Sequence, residues 1–343
     1  RSAGVIKDTE ITSVAGNNSA QDAKTVNVSL KSAVLSTDGN TQIAAVGGVV
    51  GILADTDKAG NLTASTAGKL ENVVMEGAVE AHLPAVNVSA DTEAYENYAL
   101  GIGGIAGYAK LESGEEKSVI LSCQNHAGVS GNYMTGGIVG MIDGTADSYE
   151  QPSWSSNAAI KDSSNSGLIL CIFDGADVIN GKYFGGIAGY AYRTLIYNST
   201  SASGRYSGFS YDKTKKALLK GQYVGGIVGY GNHSLMANCG TESNGYILGS
   251  EYVGGIAGGL GGNISDAIQA QQQESVSVTT NRSYVVGNEY VGGIVGYNTK
   301  GVVLSNCINN GMVAGTEKEN GEGGRYVGGI VGYNANDATV SDC

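Results

Sequence analysis

Apolar residues along this chain fall in short runs broken by glycine, and one such run recurs. It reads Gly-Gly, then Ile or Val, then Val or Ala, then Gly, and later copies widen to Tyr-Val-Gly-Gly-Ile-Val-Gly-Tyr, as at 223–230 and 290–297. Ile, Val and Tyr favour extended backbone, whereas each glycine would cost a helix about 1 kcal/mol relative to alanine. The pattern predicts a β-strand at every copy.

The glycine pair starts eight copies of this cassette. Two apolar residues follow each pair, which predicts that both faces of the strand are covered. Glycine at a fixed place in each unit predicts that another backbone or a ring approaches closely there. The pairs are Gly47 and Gly48, Gly103 and Gly104, Gly136 and Gly137, Gly185 and Gly186, Gly225 and Gly226, Gly254 and Gly255, Gly292 and Gly293, and Gly328 and Gly329.

Tyrosine and cysteine also keep set distances from the glycine pair. Tyrosine stands two residues before five of the pairs and five residues after the first glycine of five, so stacked repeats would align the rings. A weaker motif places cysteine after the cassette, as in Ser305-Asn306-Cys307, and Asn/Gly turn signals follow it. Each repeat thus reads strand, turn, strand, Asn/Gly turn and short strand.

This repeat predicts a β-solenoid with one coil per copy. The shortest interval, from Gly225 to Gly254, has room for three short strands. We therefore expect an all-β, right-handed parallel β-helix, with the hand taken from the general rule for parallel crossovers. Residues 47–343 form the solenoid of eight repeats, and residues 1–46 form a degenerate coil or a cap, in which 25–30 alternates like a strand.

The repeat resembles a known family. Val-Gly-Gly-Ile-Val-Gly-Tyr-Asn at 291–298 and 327–334, followed by an apolar stretch and Ser-Asn-Cys, is similar to the GLUG repeat of bacterial cell-surface and secreted proteins. In that family Leu often stands where this chain has Ile or Val. The resemblance implies an extracellular, adhesin-like protein. Some GLUG proteins are zinc peptidases whose metal motif lies outside the repeats, but His82, His126 and His233 form no His-Glu-x-x-His motif here.

Composition and charge limit the kinds of molecule that this chain is expected to bind. The chain has a net charge of −12, so we expect no nucleic-acid partner and no binding to anionic lipid. Its longest apolar run, 43–54, is too short and too glycine-rich to cross a bilayer. We expect a fragment of a longer protein, because no signal peptide is visible and the chain stops inside a repeat. The expected partners are a host glycan or protein and further domains of the same polypeptide.

Two aromatic insertions are the candidate ligand contacts. Tyr149 and Trp154 lie in the long interval between the third and fourth copies, and Tyr206, Phe209 and Tyr211 lie between the fourth and fifth. Insertions in solenoids leave as loops, often on the binding face. The alternative is that Trp154 folds back over a coil and that the second insertion is a solvated loop. A carbohydrate-binding stripe of the repeated tyrosines is a further alternative, although their apolar neighbours favour stacking between coils.

Two other features have structural explanations. Asp55 and Asp57 begin a segment like a calcium loop, but it lacks the later ligands, which favours an acidic turn. The five cysteines follow the repeat, which favours small buried residues over disulfides. Cys307 and Cys343 are the exception, because they occupy the same position in adjacent coils and lie within disulfide reach.

The leading hypothesis is a non-enzymatic structural or adhesive rod that needs no cofactor and no metal. The alternative is a carbohydrate-active β-helix enzyme, a lyase or glycosidase. That class needs carboxylates or basic groups on one ladder, and no repeat position carries them consistently. An ice- or crystal-binding solenoid would need a regular threonine ladder, and Thr279-Thr280 occurs once.

Overall fold

A computed structural model describes residues 5–7, 10–11, 14–15, 23–24, 27–30, 36–38, 41–57, 61–65, 68–83, 98–112, 119–144, 154–172, 182–202, 221–243, 245–261, 274–299, 301–317 and 324–343. Over these residues the chain is a β-solenoid. Its strands pair in parallel with their counterparts in the repeats before and after, at matching register, so that Gly225 stands beside Gly185 and Gly254. The predicted parallel β-helix is confirmed. The right-handed sense stays a prediction.

Coils 1 to 3 and 5 to 7 each visit five sheets in the same order, which we name sheets I to V; the described strands of coil 4 lie in sheets I to IV and those of coil 8 in sheets I to III. Coils are numbered by their glycine pairs, from coil 1 (Gly47, Gly48) to coil 8 (Gly328, Gly329). Sheet I contains Thr41–Gly47, Tyr98–Gly103, Tyr133–Gly136, Lys182–Gly185, Gln222–Gly225, Glu251–Gly254, Glu289–Gly292 and Arg325–Gly328. Sheet II contains Val50–Leu53, Ala106–Leu111, Val139–Gly144, Ala188–Tyr192, Val228–Asn232, Ala257–Gly261, Val295–Asn298 and Val331–Asn334.

The other three sheets have shorter strands. Sheet III contains Val5–Lys7, Lys69–Glu71, Val119–Leu121, Ile160–Lys161, Leu195–Tyr197, Leu235–Ala237, Glu274–Ser277, Val303–Ser305 and Thr339–Ser341. Sheet IV contains Glu10–Ile11, Val74–Met75, Gln124–Asn125, Ser164–Asn165, Thr200–Ser201, Gly240–Thr241, Thr280–Asn281 and Ile308–Asn309. Sheet V has two parts, Asn27–Leu30, Ala78–Ala81, Gly128–Gly131 and Ile169–Cys171, then Tyr246–Leu248, Tyr284–Gly287 and Val313–Gly315.

A few elements depart from this pattern. Ser36–Asp38 pairs antiparallel with Thr41–Gly47 at the N-terminal edge of sheet I. Two other antiparallel pairs are Val14–Ala15 with Ala23–Lys24 and Asp55–Thr56 with Leu62–Thr63. Trp154–Asn157 forms a single helical turn. No helix among the described residues is long and apolar enough to span a membrane. The division at residue 46 stays a prediction, although the strand within the predicted 25–30 segment, Asn27–Leu30, pairs with Ala78–Ala81 of coil 1.

Two expectations about the repeat unit are wrong. The cassette is not one strand: the chain bends after the first glycine, so that Gln222–Gly225 and Val228–Asn232 belong to different sheets. Ile227 and Val228 are both fully buried because they stand at this corner, not because they face opposite sides of one strand. Six of the eight coils also have five described strands instead of three, because several strands are only two residues long.

Steric contact explains each glycine of the cassette. A Cβ on the first glycine, as at Gly225, would overlap the carbonyl oxygen of Val228 across the corner. At the second glycine, as at Gly226, it would overlap Gly255 O in the next coil. At the third, as at Gly229, it would lie 2.5 Å from Phe184 N in sheet I of the coil before. All three positions bring backbone against backbone, so any side chain would force the coil apart.

Candidate functional site

A buried ladder of polar side chains runs inside the solenoid along sheet IV. Asn125 Nδ2 donates to Asn165 Oδ1 at 2.7 Å, and Asn281 Nδ2 donates to Asn309 Oδ1 at 2.8 Å. These amides also bond turn backbone; Asn125 Nδ2 reaches Ala127 O, for example. The same side chains pack on the second cassette glycine of their coil, as Asn281 does on Gly255. This amide ladder thus satisfies buried polar groups and takes the space that glycine leaves.

A second ladder, which we call the corner ladder, lies between sheets III and IV. It consists of one residue from each coil, in order Val73, Cys123, Ser163, Ser199, Cys239, Thr279, Cys307 and Cys343. Cys123 N donates to Ser163 Oγ at 3.2 Å, and Ser163 N donates to Ser199 Oγ at 3.3 Å. Ser163 Oγ donates in turn to Lys161 O. Seven of the eight members are therefore cysteine, serine or threonine, because thiol and hydroxyl fill one hydrogen-bonding role.

The residue before each member of the corner ladder has left-handed backbone. The φ angles run from 48° to 53° at Asn72, Ser122, Asp162, Asn198, Asn238, Val278, Asn306 and Asp342. Asn and Asp accept this conformation more readily than other side-chain-bearing residues. The Ser-Asn-Cys motif therefore has two roles that its residue types alone did not reveal: asparagine takes the left-handed conformation of the corner, and cysteine belongs to the corner ladder.

Burial keeps three thiols of the corner ladder, those of Cys123, Cys239 and Cys307, protonated. It raises the pKa of Cys123 to about 11 and that of Cys239 to about 12. Burial likewise raises the pKa of Cys307 to about 12, with the neighbouring Cys343 adding to the effect. All five cysteines are free thiols in this structure, and those of Cys123, Cys239 and Cys307 are poor nucleophiles.

The repeated tyrosines form two stacked rows. In the first row the centroid distances are 5.2 Å for Tyr183 and Tyr223, 4.4 Å for Tyr223 and Tyr252, 4.9 Å for Tyr252 and Tyr290, and 4.8 Å for Tyr290 and Tyr326. From Tyr223 onward the planes are within 12° of parallel. The second row includes Tyr190 on Tyr230 and Tyr297 on Tyr333. Edge-on contacts join the rows.

This tyrosine ladder offers little ring face to a ligand. Neighbouring rings cover the faces of Tyr252 and Tyr290, which leaves ring edges, and Tyr183 is 1% exposed whereas Tyr326 is 50% exposed. The carbohydrate stripe considered above would need free faces, so stacking between coils is the role that the geometry supports.

A buried charged cluster lies at the end of sheet II in coils 2 and 3. Lys110 Nζ is 3.1 Å from Asp143 Oδ2, and the Tyr108 hydroxyl donates to the same oxygen at 3.3 Å. Burial, with the Asp143 charge beside it, holds the pKa of Tyr108 well above its usual value. Lys110 and the Tyr108 hydroxyl thus help to compensate the buried charge of Asp143, which is the arrangement of a structural ion pair.

The candidate ligand contacts do not come together in a described site. Tyr149, Tyr206, Phe209 and Tyr211 lie outside the described residues, as does the side chain of Trp154. Trp154–Asn157 packs beside Leu195–Tyr197 of the next coil. The described flanks place the two insertions at different corners: one leaves between Gly144 of sheet II and Ile160 of sheet III, and the other between Ala202 after sheet IV and Gln222 of sheet I.

In the acidic turn that contains Asp55 and Asp57, one carboxylate accepts hydrogen bonds from within the turn. Asp57 accepts hydrogen bonds from Asn61 N at 2.8 Å and from Asn61 Nδ2 at 2.9 Å. Over the described ranges, no three His, Cys, Asp or Glu side chains group as metal ligands, and this holds around Asp55 and Asp57. His126 contacts Ser166 on the next coil.

These features define a parallel β-solenoid whose repeated positions are specialised for contact between coils. Residues 323–343 match the family model described as the GLUG motif. The match spans Arg325–Gly328, Val331–Asn334 and Thr339–Ser341 of coil 8, whose counterparts recur in register in the preceding coils. It supports a protein built from GLUG repeats. No curated protein and no solved structure matches the chain.

Proposed function

We propose that this chain is a non-enzymatic rod of a bacterial cell-surface or secreted protein, and that it presents its insertions to a host glycan or protein. The observation that carries the proposal is that the residues that recur from coil to coil contact the neighbouring coils. The cassette glycines, the amide ladder, the corner ladder and the tyrosine ladder all make contacts from one coil to the next. The insertions are not bound by this repeated pattern, so their sequences can differ from one coil to another.

The GLUG match supports the surface-protein class, since the resemblance described above is to bacterial cell-surface and secreted proteins. The insertions that hold Trp154 and Tyr211 carry the aromatic residues that recognition surfaces favour. A rod displays such loops at fixed separation, because each one is anchored at both ends in rigid sheets.

A glycan-array and mucin-binding screen of the 343-residue chain tests this proposal. We expect binding that the double variant Trp154→Ala and Tyr211→Ala abolishes. Tyr326→Ala is the matched control, because it removes an exposed ring from the tyrosine ladder and leaves both insertions intact.

Three outcomes contradict parts of the proposal. If Tyr326→Ala lost binding and the double variant kept it, the ligand would bind the tyrosine ladder and not the insertions. Binding by none of the chains to any glycan, mucin or host-protein extract would overturn the adhesive role. Release of new reducing ends or unsaturated sugars from polysaccharides would instead support the lyase or glycosidase alternative.

A further inference from the structure

The corner ladder brings two sulfur atoms onto consecutive coils at one step only within the described residues. Cys123 has Val73 before it and Ser163 after it, and Cys239 lies between Ser199 and Thr279. Cys307 has Thr279 on one side, whose hydroxyl points to Cys307 Sγ at 3.6 Å, and Cys343 on the other. The step from coil 7 to coil 8 is therefore chemically different from the other steps.

At this step the Cys343 thiol contacts the backbone of Cys307. Cys307 N donates to Cys343 Sγ at 3.3 Å, so the Cys343 sulfur lies over the backbone of Cys307. Adjacent parallel strands are about 4.8 Å apart, which falls within the Cα separation of disulfides. The Cβ atoms must approach further, to about 3.8 Å. Cys307 lies between the strands Val303–Ser305 and Ile308–Asn309, whereas Cys343 lies outside any strand.

We propose that Cys307 and Cys343 form a disulfide that ties coil 7 to coil 8 when the protein meets a small-molecule disulfide such as oxidised glutathione. Cys343 makes the required movement, because Cys307 is buried between two paired strands. This inference does not depend on the adhesive role, although an extracellular location would favour the oxidised form.

The chemistry has two exchange steps. The Cys343 thiolate attacks one sulfur of oxidised glutathione, which forms a mixed disulfide and releases one glutathione thiolate. Cys307 then loses its proton to solvent and attacks the Cys343 sulfur, which releases the second glutathione. Two protein thiols are oxidised and one reagent disulfide is reduced to two thiols. The second step is slow, because burial disfavours the Cys307 thiolate, and it speeds up as pH rises.

The test is to incubate the folded 343-residue chain with oxidised glutathione, block the remaining thiols, and map the cysteines by mass spectrometry without reduction. We expect Cys307 and Cys343 to leave the thiol pool together and to appear in one cross-linked peptide. Cys239→Ser is the matched control, because it removes a thiol from the same ladder and should leave the cross-link unchanged. Cys343→Ser should leave Cys307 as a free thiol.

Three results would overturn the proposal. One is a stable glutathione adduct on Cys343 with Cys307 still free. The second is a disulfide from Cys343 to another chain. The third is that both cysteines remain thiols after long incubation at raised pH, while the same chain unfolded in urea is oxidised by the same reagent.

Discussion

At the scale of single residues, left-handed backbone determines which residue types stand immediately before the members of the corner ladder. Asn238 and Asn306 have φ angles of 52° and 51°, and their counterparts are mostly Asn, Asp or Ser. Their side chains also bond one another, as Asn238 Nδ2 does to Asn198 Oδ1 at 2.9 Å. Val278 is the exception: it has a φ of 50° and a branched Cβ, and it is 48% exposed.

Val278→Asn should therefore stabilise the protein. The substitution removes the strain of a β-branched residue in left-handed backbone, where L-residues pay about 1–2 kcal/mol, and it buries no new polar group. We expect the free energy of unfolding to rise by about 1 kcal/mol, measured by urea denaturation. The reverse change, Asn238→Val, should lower it by a similar amount. Equal stability of the Val278→Asn and parent chains would show that this corner stores no strain.

At the scale of elements, the tyrosine ladder couples sheet I to sheet II. Tyr183, Tyr223, Tyr252, Tyr290 and Tyr326 all have positive φ, from 53° to 67°, so each of these five sheet I strands carries a left-handed residue just before the cassette corner. The regular spacing of Tyr and Gly-Gly predicted alignment of the rings. Nothing in the residue type signals left-handed backbone at tyrosine. The conformation belongs to the position in the coil and not to the ring, because Met134, the counterpart of Tyr183 in coil 3, has a φ of 41°.

The tyrosine ladder should make stability fall at high pH. Burial, together with the nearby Glu251, raises the pKa of Tyr252 to about 12, against about 10 in an unfolded chain. Between these values the unfolded state has lost the proton and the folded state has kept it, so the free energy of unfolding decreases as pH rises. Tyr252→Phe should reduce this slope.

The measurement is a series of urea midpoints from about pH 9 to about pH 12 for both chains. Midpoints at pH 7, where both rings are neutral, separate the loss of the hydroxyl itself from its titration. The same slope in both chains would show that Tyr252 does not resist ionisation in the folded state.

At the scale of the whole molecule, each coil contacts chiefly the coils beside it. The strands of sheets I to IV each pair with the same sheet one coil before and one coil after. Stability in such a molecule is close to a sum of coil and interface terms, so damage should stay local.

Gly293→Ala tests this locality. A Cβ there would overlap Gly329 O and Asn309 Nδ2, so we expect a loss of about 2 kcal/mol from overpacking. Hydrogen exchange should become faster in Ile308–Asn309 and Arg325–Gly328 and stay unchanged in Ala106–Leu111 and Val139–Gly144. Gly329→Ala is the matched control, because no atom lies within 4 Å of its added Cβ. Faster exchange throughout the chain would show that the solenoid unfolds as one unit.

The sequence by itself determined the class of fold and the positions that repeat. Eight glycine pairs at a loose period, with β-formers around them, are compatible with stacked strands and with few other structures, so the parallel solenoid and the aligned tyrosines followed from local patterns. The tertiary structure decided where the chain turns. The bend inside the cassette, the five strands of a coil and the roles of Asn238 and Cys239 depend on which backbone lies against each residue in the next coil. That neighbour is 28 to 40 residues away in much of the chain, and no local propensity specifies the contact.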